Sequence, residues 1–143
     1  MKKIFSSLLL IGFALTAFPA TAHDKIKVVA SFSILGDMVE QVSGDLAEVT
    51  TIVGPDADAH VYTPSTADAK AVANADVIFV NGLGFETWSQ TLIENAGTNA
   101  EVFVATQGIT PLLVDGEVDP HAWNALTLLR VPSGTRVTVP PSL

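Results

Sequence analysis

Residues 25–55 read KIKVVASFSILGDMVEQVSGDLAEVTTIVGP, and this stretch decides the fold. Ile26 to Phe32 is a short apolar run rich in β-branched residues, the pattern of a strand buried on both faces. Ser33 is placed to cap a following helix, on which Ile34, Leu35, Met38, Val39 and Val42 share one side. Gly44 ends that helix, and Glu48 to Val53 is a second strand stopped by Gly54-Pro55. A strand, a helix and a strand within so few residues predict a parallel pair joined by a right-handed crossover.

Working outward, the same alternation continues to about Ala105. After a polar loop, Asp56 to Pro64, Ser65 and Asp68 have the spacing of a capping box and open an alanine-rich helix through Ala75. Asp76 to Asn81 is a third strand. Gly82-Leu83-Gly84 turns the chain into a helix with Phe85, Trp88, Leu92 and Ala96 on one face, and Glu101 to Ala105 is a fourth strand. The expected fold class is α/β, a parallel four-stranded sheet with helices on both faces. Ligands of such sheets bind beyond the C-terminal ends of the strands. His60 follows the second strand and His121 follows the fourth, so topology puts both on that edge.

The two ends of the chain read differently. Lys2 and Lys3 precede an apolar stretch, Ile4 to Phe18, that Pro19 breaks, and Ala20-Thr21-Ala22 offers small residues for a signal peptidase. Residues 1–22 are therefore expected to be a signal peptide cleaved after Ala22, the apolar run being shorter than the ~20 residues of a spanning helix. No membrane insertion is expected after cleavage. At the other end, residues 126–143, LTLLRVPSGTRVTVPPSL, have no helical period, and Pro132, Pro140 and Pro141 exclude a long helix. They are expected to form an irregular, disordered tail behind a lobe spanning residues 23–125.

Composition narrows the function classes. There is no cysteine, hence no lipidated N-terminal cysteine and no disulfide. A freely diffusing periplasmic protein is the expectation. Five basic residues against fifteen acidic ones follow Ala22, a net charge of −10, which argues against nucleic acid or an anionic membrane as partner.

Imidazole is a common ligand for first-row divalent ions, and two histidines from separate loops supply two of the four donors of a tetrahedral site. A lone loop histidine is more often merely solvated, and the residues alone leave both readings open. His23, at the expected mature terminus, has no specific role. Trp88 and Trp123 read as packing residues, Trp123 also standing beside a candidate ligand. Gly82-Leu83-Gly84 lacks the third glycine of a dinucleotide fingerprint and reads as a turn. Ser31 and Ser33 read as caps, and Asp58 and Glu86 are carboxylates that could approach the histidines.

Four segments in order, VVASFSILGDMVEQVSGD, GPDADAHVYTPST, ADVIFVNGLGFETW and DPHAW, resemble the cluster 9 solute-binding proteins of ABC importers, the zinc and manganese receptors of ZnuA/adhesin type. The resemblance runs from about Lys25 to Asn124. It implies that His60 and His121 are metal ligands, that Zn2+ or Mn2+ is bound as cargo, that an inner-membrane ABC permease is the partner, and that the protein is not an enzyme. The family continues through a connecting helix into a second lobe with the remaining ligands, and residues 126–143 are not expected to begin that lobe. Ile109 to Val118 is short and lacks the histidine-rich loop of some zinc-specific members, which leaves zinc and manganese undecided. Two other readings stay open: a non-functional remnant of such a receptor, truncated after the first lobe, and a small metallohydrolase that would need a third ligand and a general base.

Overall fold

A computed structural model describes residues 24–124; the expected signal peptide and the expected irregular tail lie outside the described residues. The elements run β1 (Ile26–Phe32), α1 (Ser33–Ser43), β2 (Ala47–Val53), α2 (Thr66–Ala73), β3 (Val77–Val80), α3 (Ser89–Ala96), β4 (Glu101–Val104), and a short hairpin of β5 (Leu113–Val114) with β6 (Glu117–Val118). The first four strands form one sheet in the order β2-β1-β3-β4. All three pairings in it are parallel, in the register Val28↔Val49, Val28↔Val77 and Phe79↔Phe103.

This strand order fixes the layers. The chain steps from β1 to β2 in one direction, then back across β1 to β3 and on to β4. With right-handed crossovers, α1 covers one face while α2 and α3 cover the other. In agreement, α1 packs on β1 and β2, and α2 packs on α3. β1 is central, which explains why its residues Val28 to Phe32 are buried without alternation. They meet Ile52, Val53, Ile78 and Val80 in the core, closed by Val72 and Leu92 from the helices. α1 comes close to the sheet because position 36 is glycine; a Cβ there would collide with the Thr51 hydroxyl.

Several local readings need correction. Phe32, in extended conformation, is the residue that precedes α1, so Ser33 lies inside the helix and makes no capping bond. The apolar stripe of α1 is wider than the face it buries: Leu35 and Gly36 are buried, whereas Ile34 is 42% and Val42 89% exposed. The third helix begins at Ser89, because residues 82–84 have positive φ and Phe85 to Trp88 form turns. β4 is an edge strand, and Val102, Phe103 and Val104 remain about two-fifths exposed. The reading of Ser65 and Asp68 is matched in full: the Ser65 side chain accepts from the Asp68 N–H, and the Asp68 carboxylate accepts from the Ser65 N–H.

That capping box gives a test of the fold. Ser65→Ala removes the first reciprocal bond of α2 and is expected to cost about 1 kcal/mol in urea unfolding. Ile78→Ala, in the middle of the core, is expected to cost about 2–5 kcal/mol.

Candidate metal centre

Between β1 and β3 the chain departs in opposite directions, so a crevice opens at the C-terminal ends of these two neighbouring strands. Aromatic rings fill its floor. Phe32, at the end of β1, lies 4.9 Å from Phe85 and 4.7 Å from Trp123 between ring centroids, and Phe85 lies 4.6 Å from Trp123. His60 and His121 stand on this platform, with centroids 4.5 and 5.7 Å from Phe85. Both residues are exposed on their outer side. Their Nε2 atoms are 3.4 Å apart.

Each histidine is held by a separate set of contacts. Asp58 Oδ1 accepts from the His60 backbone N–H at 2.9 Å, and the preceding carbonyl, of Ala59, accepts from Trp88 Nε1 at 2.7 Å. Trp88 in turn packs against Tyr62, whose hydroxyl donates to Asp68 at 2.9 Å. That bond to Asp68 raises the Tyr62 pKa, keeping the hydroxyl protonated and able to donate. On the other loop, Asp119 Oδ1 accepts from the His121 backbone N–H at 2.9 Å and from its ring Nδ1 at 2.7 Å. The backbone bond first, and the ring bond second, hold Asp119 below the usual carboxylate range. Its carboxylate can only accept, so Nδ1 of the His121 ring carries a proton, and in the neutral ring the lone pair is left on Nε2.

Deeper in the crevice, buried Asn81 and Glu86 tie the elements together. Glu86 Oε1 accepts from Ser31 Oγ at 2.7 Å and from the Asn81 N–H, and Oε2 accepts from the Gly82 N–H at 3.2 Å. Asn81 Nδ2 donates to the carbonyls of Gly82 and Pro120 at 2.9 and 3.0 Å, which anchors the residue before His121. Thr106 Oγ1 donates to the Asn81 carbonyl at 2.6 Å. Position 82 must be glycine: its φ is +86°, and a Cβ would press on Val104 and Thr106.

The structure thus brings His60 and His121 together and separates the other candidates by role. Asp58 supports the His60 loop through the backbone, Glu86 lies beneath the crevice as a structural anchor, and Ser31 donates to Glu86 where a cap was expected. Trp88 and Trp123 both pack, Trp123 with its centroid 5.2 Å from His121. Sequence reading passed over Asp119 and Asn81. Asp119 repeats the Asp-X-His spacing of Asp58 and His60, a signal that was available. Among the described residues no group of three or more His, Cys, Asp or Glu could hold a metal ion.

A family model described as the periplasmic zinc-uptake complex component A, ZnuA, matches residues 28–131. The chain belongs to the ZnuA family. Relatives include the manganese-binding lipoprotein MntA of Halalkalibacterium halodurans, 41% identical over 132 residues, with 86% of this chain and 44% of that protein covered. The iron ABC transporter substrate-binding lipoprotein MtsA of Streptococcus pyogenes serotype M1 is 36% identical over 134 residues, with 86% of this chain and 43% of that protein covered. The manganese-bound periplasmic metal binding protein of Candidatus Liberibacter asiaticus superposes with a TM-score of 0.66 at 39% identity, covering 73% of this chain and 40% of that one. The chain therefore spans less than half the length of these ZnuA-family relatives.

Glu86→Ala strips acceptors from three donors around a buried position. It is expected to destabilise the domain by about 3 kcal/mol in urea unfolding. The milder Glu86→Gln should cost less, because one amide oxygen still accepts.

Proposed function

We propose that His60 and His121 are the two ligands this lobe contributes to a site for a divalent transition metal, captured outside the cytoplasmic membrane as cargo for an ABC importer. The observation that carries the reading is the 3.4 Å between the two Nε2 atoms. An ion bound at ~2.0–2.1 Å in a tetrahedral site holds two imidazole nitrogens ~3.3–3.4 Å apart. A direct N–H···N bond favours a shorter contact, near 3 Å. The Asp119–His121 pair adds the carboxylate behind a ligand that fixes tautomer and ring direction in metal sites. The placement beyond β1 and β3 adds the edge where α/β sheets bind ligands.

The donors present suit zinc, manganese or iron alike, and the named relatives differ in the metal that their names give. Two imidazoles leave two tetrahedral positions open. In the full-length relatives that the resemblance implies, a second lobe fills them and presents a complete face to the inner-membrane permease. Delivery rests on such a second half. Capture is favoured over catalysis because the Asp119 and Glu86 carboxylates are already engaged with His121 and with Ser31, Asn81 and Gly82. Export through a signal peptide of residues 1–22 completes the proposal and places the lobe in the periplasm.

Zinc titration in competition with a chromophoric chelator tests the pair. His60→Ala and His121→Ala should each lower affinity by more than about tenfold, and Asp119→Asn by about 10–100-fold through the lost orientation of His121. Unchanged affinity in both histidine variants would refute the assignment. Protons compete with the ion for imidazole nitrogen, so affinity should fall as the pH is lowered.

A further inference from the structure

Each histidine loop is shaped locally, but neither is placed locally. Asp58 and Asp119 each accept the N–H of the histidine two residues on, which sets the turn of its own loop. Nothing in those bonds relates the two loops, whose histidines are 61 positions apart and lie in stretches without helix or strand. The reference they share is the connection from β3 to α3. At one end of it Asn81 Nδ2 donates to the Pro120 carbonyl at 3.0 Å, immediately before His121. At the other end Trp88 Nε1 donates to the Ala59 carbonyl at 2.7 Å, immediately before His60. Phe85, between them in sequence, lies against both rings. We propose that this connection, which contributes neither histidine, sets the spacing of the pair, with Trp88 the positioning residue for His60 and Asn81 for His121. The inference rests on the metal reading above.

The connection is held firmly enough to act as a reference. Residues 82, 83 and 84 all have positive φ, and the Phe85 N–H closes a turn onto the Gly82 carbonyl at 3.1 Å. Glu86 fastens the segment to β1 through Ser31, and Ser89 Oγ donates to the Glu86 carbonyl at 2.8 Å where α3 begins. The two anchoring donors are also fully committed. Trp88 has a single side-chain N–H, half-buried and spent on a carbonyl outside any ladder. The Asn81 amide is buried and gives its bonds to the carbonyls of Gly82 and Pro120. Losing the donor at one end frees one loop and leaves the anchor of the other in place. The two effects are therefore separable, which a general packing role would not make them.

Crystal structures of metal-free variants, paired with zinc titration of the same full chains, test the inference. Trp88→Phe keeps a ring against Tyr62 and loses the N–H. Replacing Trp88 by benzothienylalanine keeps the whole ring shape with sulfur in place of the N–H, and so serves where phenylalanine packs badly. Either change should move His60 off the 3.4 Å spacing, leave His121 where it is, and lower zinc affinity by about tenfold. Asn81→Ala should instead move His121 and leave His60. Histidines that keep their spacing in both Trp88 variants overturn the inference, and so does altered spacing with zinc affinity unchanged. Lower unfolding stability with spacing and affinity intact would assign Trp88 to packing alone and overturn it too. If His60→Ala and His121→Ala bind zinc as the parent does, the metal reading falls, and the crystal structures still decide whether the connection sets the spacing.

Discussion

The arrangement at the sheet edge depends on the Glu86 carboxylate. It receives the Ser31 hydroxyl from β1 and the Asn81 and Gly82 N–H groups from the turn after β3. Burying such a group is costly unless its oxygens are satisfied, and here the satisfaction comes from the two strands that flank the crevice. The same bonds hold open a turn with three successive left-handed residues, one of them the non-glycine Leu83 at φ +53°. Strain of that kind persists where the surroundings over-determine the backbone. Through the Asn81 side chain the constraint reaches Pro120, and so the approach to His121. A carboxylate that sequence reading counted among possible partners of the histidines acts one layer below them.

Above that layer the two histidine loops use a common device in different ways. In Asp58-Ala59-His60 and Asp119-Pro120-His121 the aspartate oxygen accepts the histidine N–H two residues on, a local turn that needs no secondary structure around it. Only Asp119 also reaches the ring. The β5–β6 hairpin explains this difference in part. Asp115 and Gly116 both have positive φ, as a tight two-residue turn requires, and the Asp119 N–H closes the hairpin onto the Leu112 carbonyl at 2.8 Å. One loop is thereby locked to a ribbon, and its histidine has a fixed tautomer. The other is steadied through Trp88.

What could be read in advance follows from the range of the interactions involved. The span of β1, the capping box at Ser65 and the parallel order of elements rest on local pattern, and Ile26–Phe32 emerged with its bounds intact. The start of the third helix did not, because Glu86 pulls residues 82–86 into turns through contacts with Ser31, 55 positions away. Val42 looked like core by period alone, yet α1 turns Leu35 and Gly36 to the sheet. The Asp-Gly pair at 115–116 is a legible hairpin signal in the segment between β4 and His121. Topology brought His60 and His121 to one edge; that their Nε2 atoms lie 3.4 Å apart depends on Phe85 and Trp123, which no local pattern connects.

In the proposed site this division of labour has a thermodynamic consequence. A donor pair already set at the span of a tetrahedral edge gives up little conformational freedom when an ion arrives, since both rings rest on aromatic side chains and both backbones are tied. Two donors still bind less tightly than four, so strong retention requires another pair from outside this lobe. Affinity then becomes a property of an encounter between two bodies, and separating them weakens the hold on the ion without moving His60 or His121. A receptor that must first capture an ion and later surrender it gains from that arrangement. On the proposed reading, a half-site set in advance favours capture, and loss of the other half favours release.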